Sequence, residues 1–241
     1  MKTFSGKRAL IIGGTGGIGR ALCIKLAEKG AELIIHGGSS SPHLENIIEK
    51  INKEGGKAEG FLLNLDDPIR AEKVFSMYPN IDILICAWGS FLQAKLESAD
   101  LQLWRKMIDS NLLFPSYLLS LYLNGMIKQK WGRILLFGGT NTDTIRGFTT
   151  STAYSAAKTA LGVLAKSTAL LAAIHGVSCN VICPGLTETE YCDERQTQYN
   201  RKKSPDGIAL EPEQIAKTAM FILENPEING AIIPVDKGLV L

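Results

Sequence analysis

No apolar run in this 241-residue chain approaches the roughly twenty residues that a membrane-spanning helix needs. Near the start, residues 9–12 are the only apolar stretch before glycine begins, too short for the core of a secretory signal. Charge of one sign is not in excess either. Twenty-six Lys and Arg against 24 Asp and Glu leave a net +2, which gives no electrostatic case for nucleic acid or an anionic membrane surface. Cysteine is odd in number, and Cys23, Cys86, Cys179, Cys183 and Cys192 lie mostly inside apolar runs, as reduced thiols of a cytoplasmic protein do. Cys179 and Cys183 have no second ligand pair after them, so no metal site is expected. Trp88, Trp104 and Trp131 form no stacking stripe for bases. Internal repeats, low-complexity segments and linkers are also missing.

What is present is enough apolar residue, 45% of the chain, to bury the core of one sizeable domain spanning 1–241. Short apolar runs at 8–12, 32–36, 60–63, 82–87, 133–137, 178–183 and 231–235 alternate with helical patterns at 18–29, 42–54, 69–77, 101–130, 153–175 and 212–224. Near-continuous apolar strands are buried on both faces. Strand–helix alternation implies right-handed βαβ crossovers. The expected fold is therefore α/β, a Rossmann-type doubly wound, seven-stranded parallel sheet with helices on both faces. The charged, irregular segment 187–210, with Asp193-Glu194-Arg195 and Arg201-Lys202-Lys203, is expected to be a movable substrate lid.

A glycine-dense turn follows the first strand and opens a helix: Gly13-Gly14-Thr15-Gly16-Gly17-Ile18-Gly19. Gly14 to Gly19 satisfies G-x-G-x-x-G, while Gly13, Gly17 and Gly19 satisfy G-x-x-x-G-x-G. In either register, glycine lets the backbone approach a pyrophosphate at the helix N-terminus, where unpaired N–H groups favour anions. Thr15, Gly16 and Ile18 belong to the same contact surface. At the end of the second strand an enzyme using NAD(H) usually places an acid for the ribose hydroxyls. Here the run is His36-Gly37-Gly38-Ser39-Ser40-Ser41, without one. Serines such as Ser39 could donate to a 2′-phosphate, with His36 and Arg20 as cationic neighbours. NADP(H) is thus the expected cofactor, with NAD(H) the alternative; the serines could instead only cap the next helix.

Tyr154 and Lys158 stand four residues apart on a helical pattern and so share a face. A phenol titrates near 10, too high for neutral-pH acid–base work, and a neighbouring ammonium lowers it. A nucleotide crevice and a proton-transfer pair in one domain point to hydride transfer.

These residues resemble the classical short-chain dehydrogenases/reductases, and within them the 3-oxoacyl-acyl-carrier-protein reductase-like branch, over nearly the whole chain. Gly13, Gly17 and Gly19 fall on the family's cofactor glycines. Asn64-Leu65 resembles its Asp-(Val/Leu) pair beside the adenine. Asn111 falls on its helix asparagine, and Tyr154 and Lys158 on Y-x-x-x-K. The run 180–185 with Thr189 resembles N-x-(I/V)-x-P-G…T, which brings Pro184, Gly185 and Thr187 beside the nicotinamide. Gly230 and Val235-Asp236-Lys237-Gly238 resemble the C-terminal G…V-D-G-G.

The resemblance implies that Lys158 also bonds the cofactor ribose and that Asn111 holds a proton-relay water. It implies a carbonyl/secondary-alcohol reaction, with a small molecule or a 3-oxoacyl thioester as substrate. A dimer or tetramer is implied through 101–130 and 153–175, where Leu112, Leu113, Tyr117, Leu118 and Leu121 supply apolar surface. Two departures stand out. The family's N-N-A-G is Cys86-Ala87-Trp88-Gly89, retaining Gly89 and Ala87 for the cofactor but bringing Trp88 towards it. The family's catalytic serine is Gly139, with Thr140 the nearest hydroxyl and the expected substitute, ahead of Thr142 and Ser151. These losses motivate the competing reading of a weakly active or inactive nucleotide-binding sensor or scaffold.

Overall fold

The computed structural model describes residues 2–239 apart from 66 and 67, without the side chains of 68–70; residues 1, 240 and 241 of the expected domain lie outside it. In chain order the elements are β1 (Arg8–Ile12), α1 (Gly17–Glu28), β2 (Glu32–Gly37), α2 (Ser41–Lys53), β3 (Lys57–Leu62), α3 (Pro68–Phe75) and β4 (Ile83–Cys86). They continue with α4 (Leu101–Ile108), α5 (Phe114–Lys128), β5 (Gly132–Phe137), α6 (Thr152–Ala172), β6 (Val177–Pro184), α7 (Glu194–Lys203), α8 (Pro212–Glu224) and β7 (Ile232–Val235). The seven strands form one sheet in the order β3-β2-β1-β4-β5-β6-β7. Every pairing is parallel, as in Ile11 opposite Ile35 of β2 and Ile85 of β4.

Successive strand residues face opposite sides of a sheet, and here both sides are covered. Ala9 and Ile11 pack with Leu22, Leu26, Ile47 and Ile215 of α1, α2 and α8. Leu10 and Ile12 pack with Phe75, Leu118, Tyr122 and Leu161 of α3, α5 and α6. That explains why the strands read as continuous apolar runs rather than alternating ones.

The stretch 101–130, expected as one helix, is divided by a π-helical turn at Asp109–Leu113. The cause is local. Pro115 has no N–H for the carbonyl of Asn111, so the ladder loosens and Phe114 N–H donates to the carbonyl of Asp109, five residues back. The second correction is α7, inside the segment expected to be irregular. Its sequence signals are an N-cap, Asp193, which accepts from Gln196 N–H at 2.6 Å, and three cations in its last turn, favourable to the helix dipole. Arg201 there grips Glu188 through two bonds of 2.7 and 3.0 Å, so the basic run is partly spent on structure. Thr152–His175 is long and apolar enough to cross a membrane by length and composition, contrary to the sequence reading. In the fold its inner face lies on β5 and β6 and carries Lys158.

Candidate active site

Strand order reverses at β1 and β4, with β2 beyond one and β5 beyond the other. The crevice outside the carboxyl ends at such a switch point is where open parallel sheets hold ligands, and the glycine turn opens into it. Gly13 (φ +80°) and Gly17 (φ +49°) use the left-handed backbone that glycine tolerates. A Cβ on Gly13 would lie 2.8 Å from Trp88 Cβ, and a side chain on Gly19 would strike the carbonyl of Gly13, so the turn is closed by direct contact. Thr15 reaches the end of β2, where a Cβ on Gly37 would lie 2.7 Å from Thr15 Cγ2. Ile18 anchors α1 in the core beneath.

His36 corrects the expectation of a cation beside a 2′-phosphate. It is fully buried, Nδ1 accepts from Gly13 N–H at 3.2 Å, and Nε2 donates to the carbonyl of Leu63 at 2.9 Å. Those partners fix the neutral tautomer, and burial holds the imidazole below its usual pKa. It shapes the glycine turn instead of charging it. Ser39 is exposed at the rim beside Gly38, around which a Cβ would meet nothing within 4 Å. Ser40 stands at the N-cap of α2 without a side-chain cap bond. Asn64 and Leu65 follow β3 at the same edge, Leu65 half-buried against the core.

The α1 N-terminus carries an anion supplied by the chain itself. Both carboxylate oxygens of Glu190 accept from Gly17 N–H at 3.1 Å, and Arg20 Nη2 lies 3.8 Å from Oε1. A Cβ on Gly16 would strike the hydroxyl of Tyr191, and one on Gly17 would lie 3.2 Å from the methyl of Thr189. The carboxylate stands in for a phosphate oxygen, so the turn fits an anionic cofactor. Glu190 and Tyr191 were not legible as site residues. The Glu190–Gly17 contact joins positions 173 apart in sequence.

The other half of the site lies on α6, β6 and the loop after β4. Lys158 is buried, its Nζ donates to the carbonyl of Phe137 at 2.7 Å, and burial draws the ammonium down to about 8 against opposing contributions from Cys86 and Cys183. Tyr154 is half-buried, with Lys158 Nζ 5.8 Å from its ring centroid. The expectation that the ammonium lowers this phenol is corrected. Burial pushes it above the ordinary value of 10.0, and Cys183 adds to that.

Asn111 is fully buried in the π turn; its amide donates to the carbonyls of Ser90 and Met107 at 2.8 and 3.1 Å, while Oδ1 has no hydrogen-bond partner among the described residues. Gly89 passes directly over it: a side chain there would strike Asn111 Oδ1 and lie 3.2 Å from Lys158 Nζ. Glycine at 89 thus leaves room for the Asn111 and Lys158 side chains. Ala87 N–H donates to Ile12 at 3.0 Å, holding that loop to β1. Trp88 turns away into the packing of α5, edge-on to Phe114 with centroids 6.3 Å apart. At the end of β6, Gly185 N–H donates to Val235 at 2.9 Å, and Thr187 Oγ1 donates to the carbonyl of Gly185 at 3.0 Å.

The hydroxyls expected to replace the missing serine are engaged elsewhere. Thr140 donates to the carbonyl of Pro184 at 3.0 Å, which ties β5 to β6 rather than presenting a proton to the crevice. Thr142 is buried in a turn with Gly139, accepting from its N–H at 2.8 Å and donating to its carbonyl at 2.9 Å. Ser151 pairs with Ser155 at 3.2 Å.

A sequence model described as short chain dehydrogenase matches residues 7–200. Among curated relatives, the 3-oxoacyl-[acyl-carrier-protein] reductase of Aquifex aeolicus is 32% identical, with 97% of each chain covered. The L-rhamnose 1-dehydrogenase (NADP(+)) of Thermoplasma acidophilum is 25% identical, covering 100% of this chain and 99% of its own. The solved structure of a 3-oxoacyl (acyl-carrier-protein) reductase from Agrobacterium tumefaciens with NADP bound superposes at a TM-score of 0.88, with 27% identity and 98% and 95% coverage. The chain belongs to the short-chain dehydrogenase/reductase family and is an NAD(P)-dependent oxidoreductase.

Proposed function

We propose that this protein uses NADP(H) to interconvert a 3-oxoacyl thioester and its 3-hydroxy form, with Tyr154 as the proton donor in the reductive direction. One observation carries the assignment of roles: Lys158 Nζ and the unpartnered Asn111 Oδ1 converge beneath Gly89, with Tyr154 beside them on α6. When bound, NADP(H) supplies or accepts the hydride. Gly13, Gly16, Gly17 and Gly19 would hold its pyrophosphate, Gly38, Ser39 and Arg20 its ribose phosphate, and Ala87, Gly89, Pro184, Gly185, Thr187 and Thr189 its nicotinamide side. A phenol kept protonated by burial suits reduction. Tyr154 gives its proton to the carbonyl oxygen and becomes a phenolate beside Lys158, whose cation stabilises that charge. Asn111 Oδ1 offers an acceptor for the proton path that recharges the pair.

The choice of a thioester rests on relatives of that name, and the preference for NADP(H) on the lack of an acid between Gly37 and Ser41. The sensor reading gains nothing from the geometry, since a scaffold has no need of a buried lysine beside a phenol. We also place the protein in the cytoplasm as a homo-oligomer. The test of function is a turnover screen with NADPH and NADH against 3-oxoacyl thioesters, diketones and aldoses. NADPH-dependent thioester reduction is expected. Turnover confined to aldoses, or to NADH, refutes the corresponding half of the proposal.

A further inference from the structure

The phenol of Tyr154 meets two groups outside its own helix. On one side Phe91, from the loop after β4, meets it edge-on, with ring centroids 4.8 Å apart and planes at 83°. On the other lies Gly139. A Cβ built there would be 2.7 Å from Tyr154 Cε1 and 2.8 Å from its hydroxyl, closer than carbon atoms pack, so the phenol occupies space that a residue with a side chain would claim. The backbone of Gly139 is not left-handed, so it is the phenol, not backbone strain, that requires glycine here.

The loop bearing Phe91 is fixed at both ends. Ala94 N–H donates to the carbonyl of Thr150 at 2.9 Å, just before α6 begins, and Ser90 holds Asn111 through its carbonyl at 2.8 Å. The ring therefore approaches Tyr154 from a loop anchored both to the start of the catalytic helix and to the π turn.

We infer that Phe91 is a positioning residue that clamps the Tyr154 phenol against the backbone of Gly139, so that glycine at 139 and the aromatic ring at 91 form one device in place of a serine. The inference rests on Tyr154 being the proton donor. Gly139 is then a requirement of the site rather than a lesion in it. Restoring a side chain at 139 alone should impair the enzyme.

A double-mutant cycle on the full-length protein tests this, with turnover measured at saturating NADPH and substrate and NADPH affinity measured separately by calorimetry. Phe91→Ala should lower kcat roughly tenfold, as loss of an aromatic pair and a misplaced proton donor would, with NADPH affinity unchanged. Phe91→Tyr, which keeps the ring edge, should restore most of it, and Phe91→Leu should not. Gly139→Ala should also lower kcat in the otherwise unchanged protein, but by at least roughly threefold less in the Phe91→Ala background, where the phenol can retreat. Additive losses, or full turnover in Phe91→Ala, overturn the clamp. Tyr154→Phe serves as the control. If it turns over normally, the underlying assignment has failed; if it is inactive while Phe91→Ala is not, the clamp alone has failed.

Discussion

The imidazole of His36 takes a hydrogen bond from Gly13 and gives one to Leu63, and protonation at Nδ1 would set a second donor against the Gly13 N–H. Burial, against the opposing bond to Leu63, holds its folded pKa below the ordinary 6.5. In the unfolded chain the same ring binds a proton as pH falls through 6.5, while the folded ring resists, so this stability is present above that pH and is lost below it. A urea midpoint that falls between pH 7 and pH 5.5 is expected, with a contribution from this site approaching about 1.4 kcal/mol per pH unit. His36→Gln should flatten that slope, and an unaltered slope would show the burden lies on other groups. This role was not legible in sequence, because imidazole at a strand end reads equally well as a ligand and as a core donor. Tyr154 and Lys158 stood out by their spacing of four, and Asn111 only through the family resemblance. Phe91 and Glu190 were not, because each matters through a contact across the fold.

At the level of elements, boundaries came out where capping and periodicity act locally, and failed where one residue changes a long pattern. Pro115 divides the expected 101–130 helix at the turn that carries the buried Asn111, and a polar sequence without an apolar stripe hid α7. The segment before α7 has a consequence for binding. Glu190 occupies the Gly17 N–H that an anionic cofactor needs and engages Arg20 besides. A carboxylate and a phosphate compete for that donor, so displacement of Glu190 is the expected consequence of cofactor binding. Glu190→Gln should tighten NADPH binding roughly three- to tenfold, up to about 1.4 kcal/mol, by removing the competing charge. Calorimetry showing equal or weaker binding would mean the carboxylate does not compete.

For the whole molecule, the parallel order and two-sided core followed from continuous apolar strands alternating with helices, and the structure keeps all seven runs within a few residues. Side-chain facing was harder. Of the residues expected at a subunit interface, Leu118 is fully buried in the core, while Leu112 and Tyr117 pack partly against it. Leu113 and Leu121 remain exposed, and α6 with the turn after it adds a stripe: Val163 (69% exposed), Leu170 (89%), Leu171 (61%) and Ile174 (86%). Such a face on two long helices favours a second copy of the chain. Light scattering should give a dimer or tetramer that Leu170→Glu with Ile174→Glu dissociates; a monomeric unmodified protein would contradict it.

In the proposed reaction Tyr154 is the group that delivers the proton. Its most direct test is NADPH oxidation, followed by nicotinamide absorbance, in Tyr154→Phe against the unmodified enzyme with the best substrate, alongside calorimetric titration of NADPH into both. Loss of the hydroxyl should cut turnover at least about 10²-fold, the share a positioned general acid supplies, while cofactor affinity stays within about threefold. Tyr154→Phe turning over at the unmodified rate would contradict the account.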